Sequence, residues 1–107
     1  MKNYVIVFCT CPNDATTAKK IATAVVTAKL AACVNIVANV NSVYPWQGVV
    51  KSCDETLLII KTRQALYPKL EAEIRTLHPY ELPEIVMVSL DGSMNQRVKS
   101  DSASPAL

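Results

Sequence analysis

Residues 77–85 read LHPYELPEI and contain His78, the only histidine of the chain, together with two prolines and two glutamates. One proline is enough to end a helix, because it has no amide donor and its ring drives the preceding residue out of the helical region. The second proline, Pro83, therefore predicts an extended elbow between a helix and a strand. We expect this elbow to hold His78, Tyr80 and Glu81 in a restricted geometry.

The chain on either side of the elbow alternates between strand and helix patterns. Pro68 stands where a first helical turn tolerates proline, and apolar residues then recur every three to four positions as far as Leu77. Short runs of Val and Ile bounded by turn residues indicate strands. In chain order, we predict a strand over 4–9, a helix over 15–30, strands over 32–46 and 49–62, a helix that ends at 77 and a strand over 84–90.

Turn and cap residues add local detail to this pattern. Either Asn13 or Asp14 is placed to cap the first helix. Asn39 and Asn41 interrupt the second strand, which predicts an internal bend or bulge. The dipeptide Gln47-Gly48 predicts the turn of a long hairpin between the second and third strands.

The predicted order of strand, helix, strand, strand, helix and strand is typical of a ferredoxin-like βαββαβ sandwich. In this α+β fold, a four-stranded antiparallel sheet carries both helices on one face. We assign residues 1–92 to this single domain and residues 93–107 to a polar, partly disordered C-terminal tail. Because Val5–Phe8 and Leu57–Ile60 are apolar on both faces, we expect the uncovered sheet face to form an oligomer interface.

Composition argues against several functional classes. The chain has 107 residues and a formal net charge of +2, and its basic residues are spread along the sequence rather than clustered for nucleic-acid binding. No apolar run reaches the roughly 18–20 residues that cross a bilayer, and no cleavable signal is recognisable. We therefore expect a cytoplasmic protein whose four cysteines are free thiols.

The cysteines offer soft metal ligands. Cys9 and Cys11 are two residues apart in a strand pattern, so their side chains should point to the same face. A thiolate pair suits Cu(I) or Zn(II), but buried structural thiols explain the same residues. We favour a structural role for Cys11 and for Cys33, leave Cys9 open between the two roles, and expect Cys53 to be exposed to oxidation.

His78 also has two interpretations. Its imidazole is a borderline nitrogen donor suited to a metal ion, and a histidine at a helix C-terminus hydrogen-bonds the last carbonyls. The roles are compatible, because one ring nitrogen can bind metal while the other donates to a carbonyl. Five further residues are candidates for a cleft between subunits or for the interface core: Cys33, Tyr44, Trp46, Tyr80 and Glu81.

Four motifs occur in one order: ACVN at 32–35, SVYPWQG at 42–48, a strand over 55–62 that ends in IKT, and LHPYELPEI at 77–85. In this combination the chain resembles the CutA divalent-ion tolerance proteins. The resemblance implies a tight homotrimer, similar in plan to the PII signalling proteins, with hairpins that reach neighbouring subunits. It also implies binding of Cu(II) or another divalent metal, with Cys9 at a position implicated in metal binding, and it implies no enzymatic reaction.

The chain departs from the family pattern after the last strand. Family members usually carry a Tyr-Leu-x-Trp element there, whereas this chain has Gln96, Arg97, Val98 and Lys99. Each missing aromatic anchor would contribute roughly 1.5–3 kcal/mol if it were buried. The C-terminal trimer contacts of the family are therefore not expected in the same form.

We predict a homotrimer that binds divalent metal, chiefly copper, through Cys9 and His78 and takes part in cation tolerance. The alternative is a PII-like sensor of a small molecule bound near Trp46, His78 and Glu81. An enzyme with Cys9 or Cys33 as nucleophile and His78 as base is disfavoured, because nothing in the sequence orients the pair. Nucleic-acid binding is disfavoured because the strands that would stack bases carry Val, Leu and Ile with a single aromatic residue, Phe8.

Overall fold

The computed structural model describes residues 3–90 and confirms the predicted α+β, ferredoxin-like sandwich. Its elements are β1 (Tyr4–Pro12), α1 (Thr17–Thr27), β2 (Cys33–Trp46), β3 (Val49–Arg63), a 3-10 turn (Gln64–Leu66), α2 (Tyr67–Leu77) and β4 (Ile85–Ser89). The strands lie in the order β2-β3-β1-β4, and each pairs with its neighbours in antiparallel fashion. The element order therefore agrees with the sequence pattern, and the differences lie at the ends of elements.

β1 is longer than the sequence predicts. The strand continues past Cys9, where the sequence predicts its end, because it stays paired with β3 as far as the pair Pro12–Glu55. β4 pairs with β1 only up to Cys9, so the last residues of β1 have no strand on that side. Proline is tolerated at such an edge because no ladder hydrogen bond is required of it.

α1 is shorter than predicted, and Asp14 rather than Asn13 caps it. The Oδ1 atom of Asp14 accepts hydrogen bonds from the amides of Thr16 (2.9 Å) and Thr17 (2.6 Å), so the helix begins at Thr17. These bonds, that from the Thr17 amide most of all, lower the pKa of the Asp14 carboxyl below its ordinary value. Asn13 instead accepts a hydrogen bond from the amide of Asn39 at 3.0 Å, which ties the β1–α1 loop to β2.

The hairpin of β2 and β3 contains the predicted bend and turn. The pairing shifts register between Val37 and Val40, and Asn39 adopts a left-handed φ of 62° there, a conformation that asparagine tolerates. At the far end, Gln47-Gly48 turns the chain with φ values of 50° and 82°. Because β1 pairs only with residues 55–63 of β3, the rest of the hairpin projects as a two-stranded ribbon.

α2 and β4 lie within a few residues of their predicted bounds. The proline in the first turn of α2 is tolerated there, because the first amides of a helix have no partner within it. Neither described helix is long and apolar enough to cross a membrane. The end of the predicted domain at residue 92, the predicted tail over 93–107 and the family departure at 96–99 lie outside the described residues.

Both helices cover one face of the sheet and form the core with it. In β1, buried residues alternate with half-buried ones along the whole strand, as expected when only one face is well covered. The core residues of the sheet are Val5, Val7, Cys9, Cys11, Leu58 and Ile60, and those of the helices are Ala18, Ile21, Val25, Leu70 and Ile74.

The opposite face, here called the open sheet face, has no cover from residues 3–90. Phe8 lies in a row across this face, between Ile59 of β3 and Val86 of β4. Phe8 and Ile59 are half-buried, and Val86 is 46% exposed. The prediction that an oligomer covers this apolar face stays a prediction.

Candidate metal site

β1 places two thiols on the covered side of the sheet. Cys9 and Cys11 alternate with half-buried residues and share the helix-facing side, as their spacing predicts. Both are 0% exposed and belong to the hydrophobic core. The two sulfur atoms therefore lie in a dry environment next to each other.

His78 follows α2, and its backbone rather than its ring caps the helix. The His78 amide donates to the Ile74 carbonyl at 2.8 Å, while its ψ of 133° turns the chain into the elbow, as a following proline favours. The ring reaches β1 instead, where Nε2 lies 2.7 Å from the Thr10 carbonyl oxygen. The predicted hydrogen bond from the ring to the helix carbonyls is thus wrong, because the extended turn carries the ring across to the strand.

Cys9, Cys11 and His78 form a group of potential metal ligands, here called the metal cluster, in which one potential ligand atom from each residue lies within 4.8 Å of the other two. All three residues are buried, and His78 is 7% exposed. The Thr10 carbonyl oxygen also lies 3.8 Å from the Cys9 sulfur. The sequence predicted Cys9 and His78 as ligands but favoured a structural role for Cys11. Its two-residue spacing from Cys9 was the signal that could have placed it in the site.

The hydrogen bonds of His78 define its neutral tautomer. The Tyr80 amide donates to Nδ1 at 3.1 Å, so Nδ1 carries the lone pair. The Thr10 carbonyl can only accept, so Nε2 carries the proton. A metal bound at Nδ1 would take the place of the Tyr80 amide. A metal bound at Nε2 would require the ring proton to move to Nδ1, and Nδ1 could then no longer accept the hydrogen bond from that amide. Metal binding through either nitrogen therefore breaks the hydrogen bond from Tyr80.

The two thiols share a hydrogen bond that separates their acidities. The bond raises the pKa of Cys9, with burial as the next cause, and it lowers the pKa of Cys11, against the effect of burial. The two thiols therefore differ in acidity. Thiolates are the form that binds metal, so a bound ion would displace thiol protons.

The elbow also reaches the open sheet face through Tyr80. The Tyr80 hydroxyl donates to Oε2 of Glu55 at 3.2 Å, and its ring lies 4.7 Å from the His78 ring at an angle of 56°. Burial, followed by the charge of Glu55 and this hydrogen bond, raises the pKa of Tyr80 to about 12. Glu55 is only 9% exposed, and sequence reasoning missed it because it stands in a polar stretch. Its place opposite Pro12 explains its burial.

The other predicted cleft residues do not gather at one place within the chain. Cys33 pairs with Lys61 at one end of β3, and Trp46 pairs with Val49 at the other, about 40 Å away at the usual rise per residue. Glu81 is exposed. A shared cleft that includes all of them would require more than one subunit and stays a prediction.

Tyr44 and Cys53 lie near the Tyr80–Glu55 contact. A hydrogen bond with Cys53, followed by the charge of that residue, raises the pKa of Tyr44. Cys53 is half-buried rather than exposed as predicted, because it faces Ser42 of β2 across the ribbon and contacts the Tyr44 side chain. The polar residues next to Cys53 in sequence were therefore a poor guide to its exposure.

A family model described as CutA1 divalent ion tolerance protein matches residues 5–98. The chain belongs to the CutA1 family. The divalent-cation tolerance protein CutA of Thermus thermophilus is 45% identical over 85 residues, which cover 79% of this chain and 82% of that protein. Mouse protein CutA is 43% identical over 84 residues, which cover 78% of this chain but 47% of the mouse protein. The chain thus spans about half the length of the mouse relative.

A solved structure confirms the relation at the level of the fold. The divalent cation tolerance protein CutA1 from Thermus thermophilus matches with a TM-score of 0.84 and 40% identity, over 90% of this chain and 92% of that one. The family resemblance predicted from the four motifs is therefore confirmed. The CutA1 fold places the elbow of this chain beside the end of β1, where the metal cluster lies.

Proposed function

We propose that this CutA1 chain binds a divalent metal ion, chiefly copper, and serves divalent-cation tolerance. Cys9 and His78 are the ligands of the original prediction, and Cys11 joins them. The observation that carries the proposal is the approach of two thiols and one imidazole to within 4.8 Å of one another in a buried site. Soft sulfur and borderline nitrogen donors suit copper and zinc, whereas magnesium and calcium prefer oxygen.

The same geometry favours binding over catalysis. An enzyme built on Cys9 and His78 would need a ring nitrogen free to accept the thiol proton. Nδ1 already accepts from the Tyr80 amide and Nε2 donates to Thr10. Cys9 is also 0% exposed, so a substrate has no access to its sulfur in this arrangement. We therefore propose a non-enzymatic role.

We further propose that the protein acts as a cytoplasmic homotrimer. The apolar row formed by Phe8, Ile59 and Val86 on the open sheet face supports an association of subunits, because exposed apolar surface of this kind gains free energy when a partner covers it. All four cysteines lie within the described residues and are free, which suits a reducing compartment.

Native mass spectrometry of the reduced, metal-free chain tests assembly and metal binding together. Cu(II) and Zn(II) are added in separate arms, since Zn(II) does not oxidise thiols. We expect a trimer that takes up metal, and we expect Cys9→Ala and His78→Ala to abolish uptake. Cys33→Ala, which removes a thiol outside the metal cluster, is the control and should leave uptake unchanged. A wild-type trimer without metal in both arms would overturn the metal-binding proposal.

A small-molecule sensor is the second candidate, and the buried carboxylate of Glu55 favours it. The carboxylate lies at the open sheet face with the Tyr80 hydroxyl as its donor, an arrangement that could bind a cationic group. Thermal-shift screening with nucleotides and metabolites tests this candidate. Stabilisation that disappears in Glu55→Gln but persists in His78→Ala would support a sensor separate from the metal cluster.

A further inference from the structure

We infer that the metal cluster is a three-coordinate site for a soft monovalent cation, with Cu(I) as its occupant and Cys11 as the ligand that sets this preference. The inference rests on the proposed metal-binding function and assigns copper, the chief metal of that proposal, to its reduced state. It gives Cys11 a role that sequence reasoning did not favour.

The donor atoms narrow the class of metal ion. The metal cluster contains two sulfurs and one nitrogen, and within residues 3–90 no carboxylate joins it. Thiolate sulfur selects soft ions such as Cu(I) and Zn(II), whereas calcium and magnesium require oxygen ligands. Copper in its reduced state and zinc therefore remain.

The number of donors then separates copper from zinc. Zinc in proteins is almost always bound by four ligands in a tetrahedron, and a site with three protein ligands fills the fourth position with water or substrate. Cys9 and Cys11 are 0% exposed, so solvent does not reach this site to supply that ligand. Cu(I) is commonly held by only two or three ligands, so the buried set of three suits it better.

Cys11 determines the preference for Cu(I), because it supplies the second sulfur of the site. Without it, the metal cluster would consist of one thiol and one imidazole, and a single sulfur selects soft ions less strongly than a pair does. The Cys11 sulfur is fixed beside that of Cys9 by the strand geometry, since both side chains project from the same face of β1. The chain thus presents a paired-sulfur site without a rearrangement of the backbone.

Anaerobic competition tests the inference on the full chain. Cu(I) is supplied as its coloured bicinchoninate complex, and the loss of colour measures transfer to the protein; Zn(II) is titrated in parallel against a chromophoric zinc chelator. We expect one Cu(I) per chain and tighter binding of Cu(I) than of Zn(II). Cys11→Ala should lower the Cu(I) affinity by about 100-fold or more, because the loss of a direct ligand exceeds the effect of an outer partner. Cys53→Ala is the matched control and should change nothing.

The outcomes separate this inference from the proposed function. Retention of Cu(I) affinity in Cys11→Ala, with loss in Cys9→Ala, would overturn the role of Cys11 and leave metal binding intact. Tighter binding of Zn(II) than of Cu(I) would overturn the metal assignment alone. Failure of wild type to bind either ion would overturn both proposals.

X-ray absorption of the Cu(I)-loaded wild type provides a second measurement that needs no variant. Two sulfur neighbours and one nitrogen neighbour around copper would support the site even if Cys11→Ala fails to fold. A single sulfur neighbour would overturn it. Circular dichroism of Cys11→Ala, Cys9→Ala and the Cys53→Ala control shows whether each variant keeps its fold.

Discussion

The two faces of β1 differ in how completely they are covered, although they belong to one strand. On the helix side, Val7 and Cys9 are 0% exposed. On the open sheet face, Phe8 is only half-buried and its neighbour Val86 is 46% exposed. The helix side is a fully packed core, whereas the open sheet face is apolar but only partly covered. Substitutions on the two faces should therefore report different quantities: the stability of the single chain on one side and association on the other.

The elbow contributes a side chain to each of the two faces of the sheet. His78 lies on the helix side within the metal cluster, and Tyr80, two residues later, reaches Glu55 on the open sheet face. The chain bends between these two residues and the start of β4, and the two contacts lie at opposite sides of the end of β1. Because the Tyr80 amide donates to the His78 ring, we expect a change at His78 to affect the Tyr80 contact as well.

The largest expected effect comes from neighbouring residues on opposite faces of β3. Leu58 is 0% exposed in the core, and Leu58→Ala should lower the free energy of unfolding by about 2–5 kcal/mol, through lost burial and the cavity left behind. Ile59, on the open sheet face, is half-buried, so Ile59→Ala should cost less in dilute solution. Urea denaturation at several protein concentrations measures both.

The dependence of the free energy of unfolding on protein concentration should distinguish Leu58→Ala from Ile59→Ala. If subunits cover this face, the loss of free energy of unfolding caused by Ile59→Ala should grow with protein concentration. Association stabilises the folded wild type more at higher concentration, and it should stabilise the variant less. Equal, concentration-independent losses in the two variants would show that the open sheet face contributes to stability like the core, and would contradict the difference between the faces.

The next effect is on assembly. Val86→Glu places a charge in the apolar row of the open sheet face, and burying an unpaired carboxylate against another subunit is strongly unfavourable. We expect this variant to be monomeric under conditions in which the wild type is trimeric, as measured by light scattering after size exclusion. Val26→Glu is the matched control, because Val26 is 42% exposed but lies on α1. Loss of assembly in the control, or none in Val86→Glu, would exclude this face as the interface.

The fold was predictable because its signals are local and periodic. The run of Val and Ile in β1, the apolar spacing of α1 and the dipeptide Gln47-Gly48 each indicate one element, and their order leaves few topologies. Element ends were less predictable, since they depend on partners far along the chain. β1 continues to Pro12 only because Glu55 of β3 is there to pair with it.

The candidate site was predictable only in part, for the same reason. The residue type of His78 and the family position of Cys9 indicated metal chemistry, and the elbow indicated a fixed His78. The ring's partner, the Thr10 carbonyl, is 68 positions away in sequence, and no local pattern identifies it. The burial of Glu55 was missed because its sequence neighbours are polar, whereas the residues that cover it, Pro12 and Tyr80, are distant along the chain.

A smaller effect is expected from the Tyr80 hydroxyl, and it depends on pH. Tyr80→Phe leaves Glu55 without this donor and should lower the free energy of unfolding by about 1 kcal/mol at neutral pH. The folded chain holds the Tyr80 proton up to a pKa of about 12, whereas the unfolded chain loses it near pH ~10. The stabilisation linked to this proton is therefore complete below the lower value and is lost as the pH rises through the higher one.

Denaturation curves of wild type and Tyr80→Phe across the alkaline range measure this linkage. Their difference should shrink between the two pKa values, while Tyr4→Phe, at the opposite end of β1 from Glu55, serves as the control. A constant difference across that range would mean that Tyr80 titrates alike in the folded and unfolded chain, and would remove the basis for treating its contact with Glu55 as structured.

The smallest effect links the two faces through a single amide. Metal binding at His78 breaks the hydrogen bond from the Tyr80 amide to Nδ1, whichever ring nitrogen binds the ion. Because a net hydrogen bond contributes about 1 kcal/mol, the Tyr80 amide should exchange with solvent roughly fivefold faster in the Zn(II)- or Cu(I)-loaded protein. Nuclear magnetic resonance suits both ions, since neither is paramagnetic, and the Val7 amide in the core is the reference. Unchanged exchange at Tyr80 in a fully loaded chain would show that the metal does not bind through the His78 ring, even if both thiols hold it.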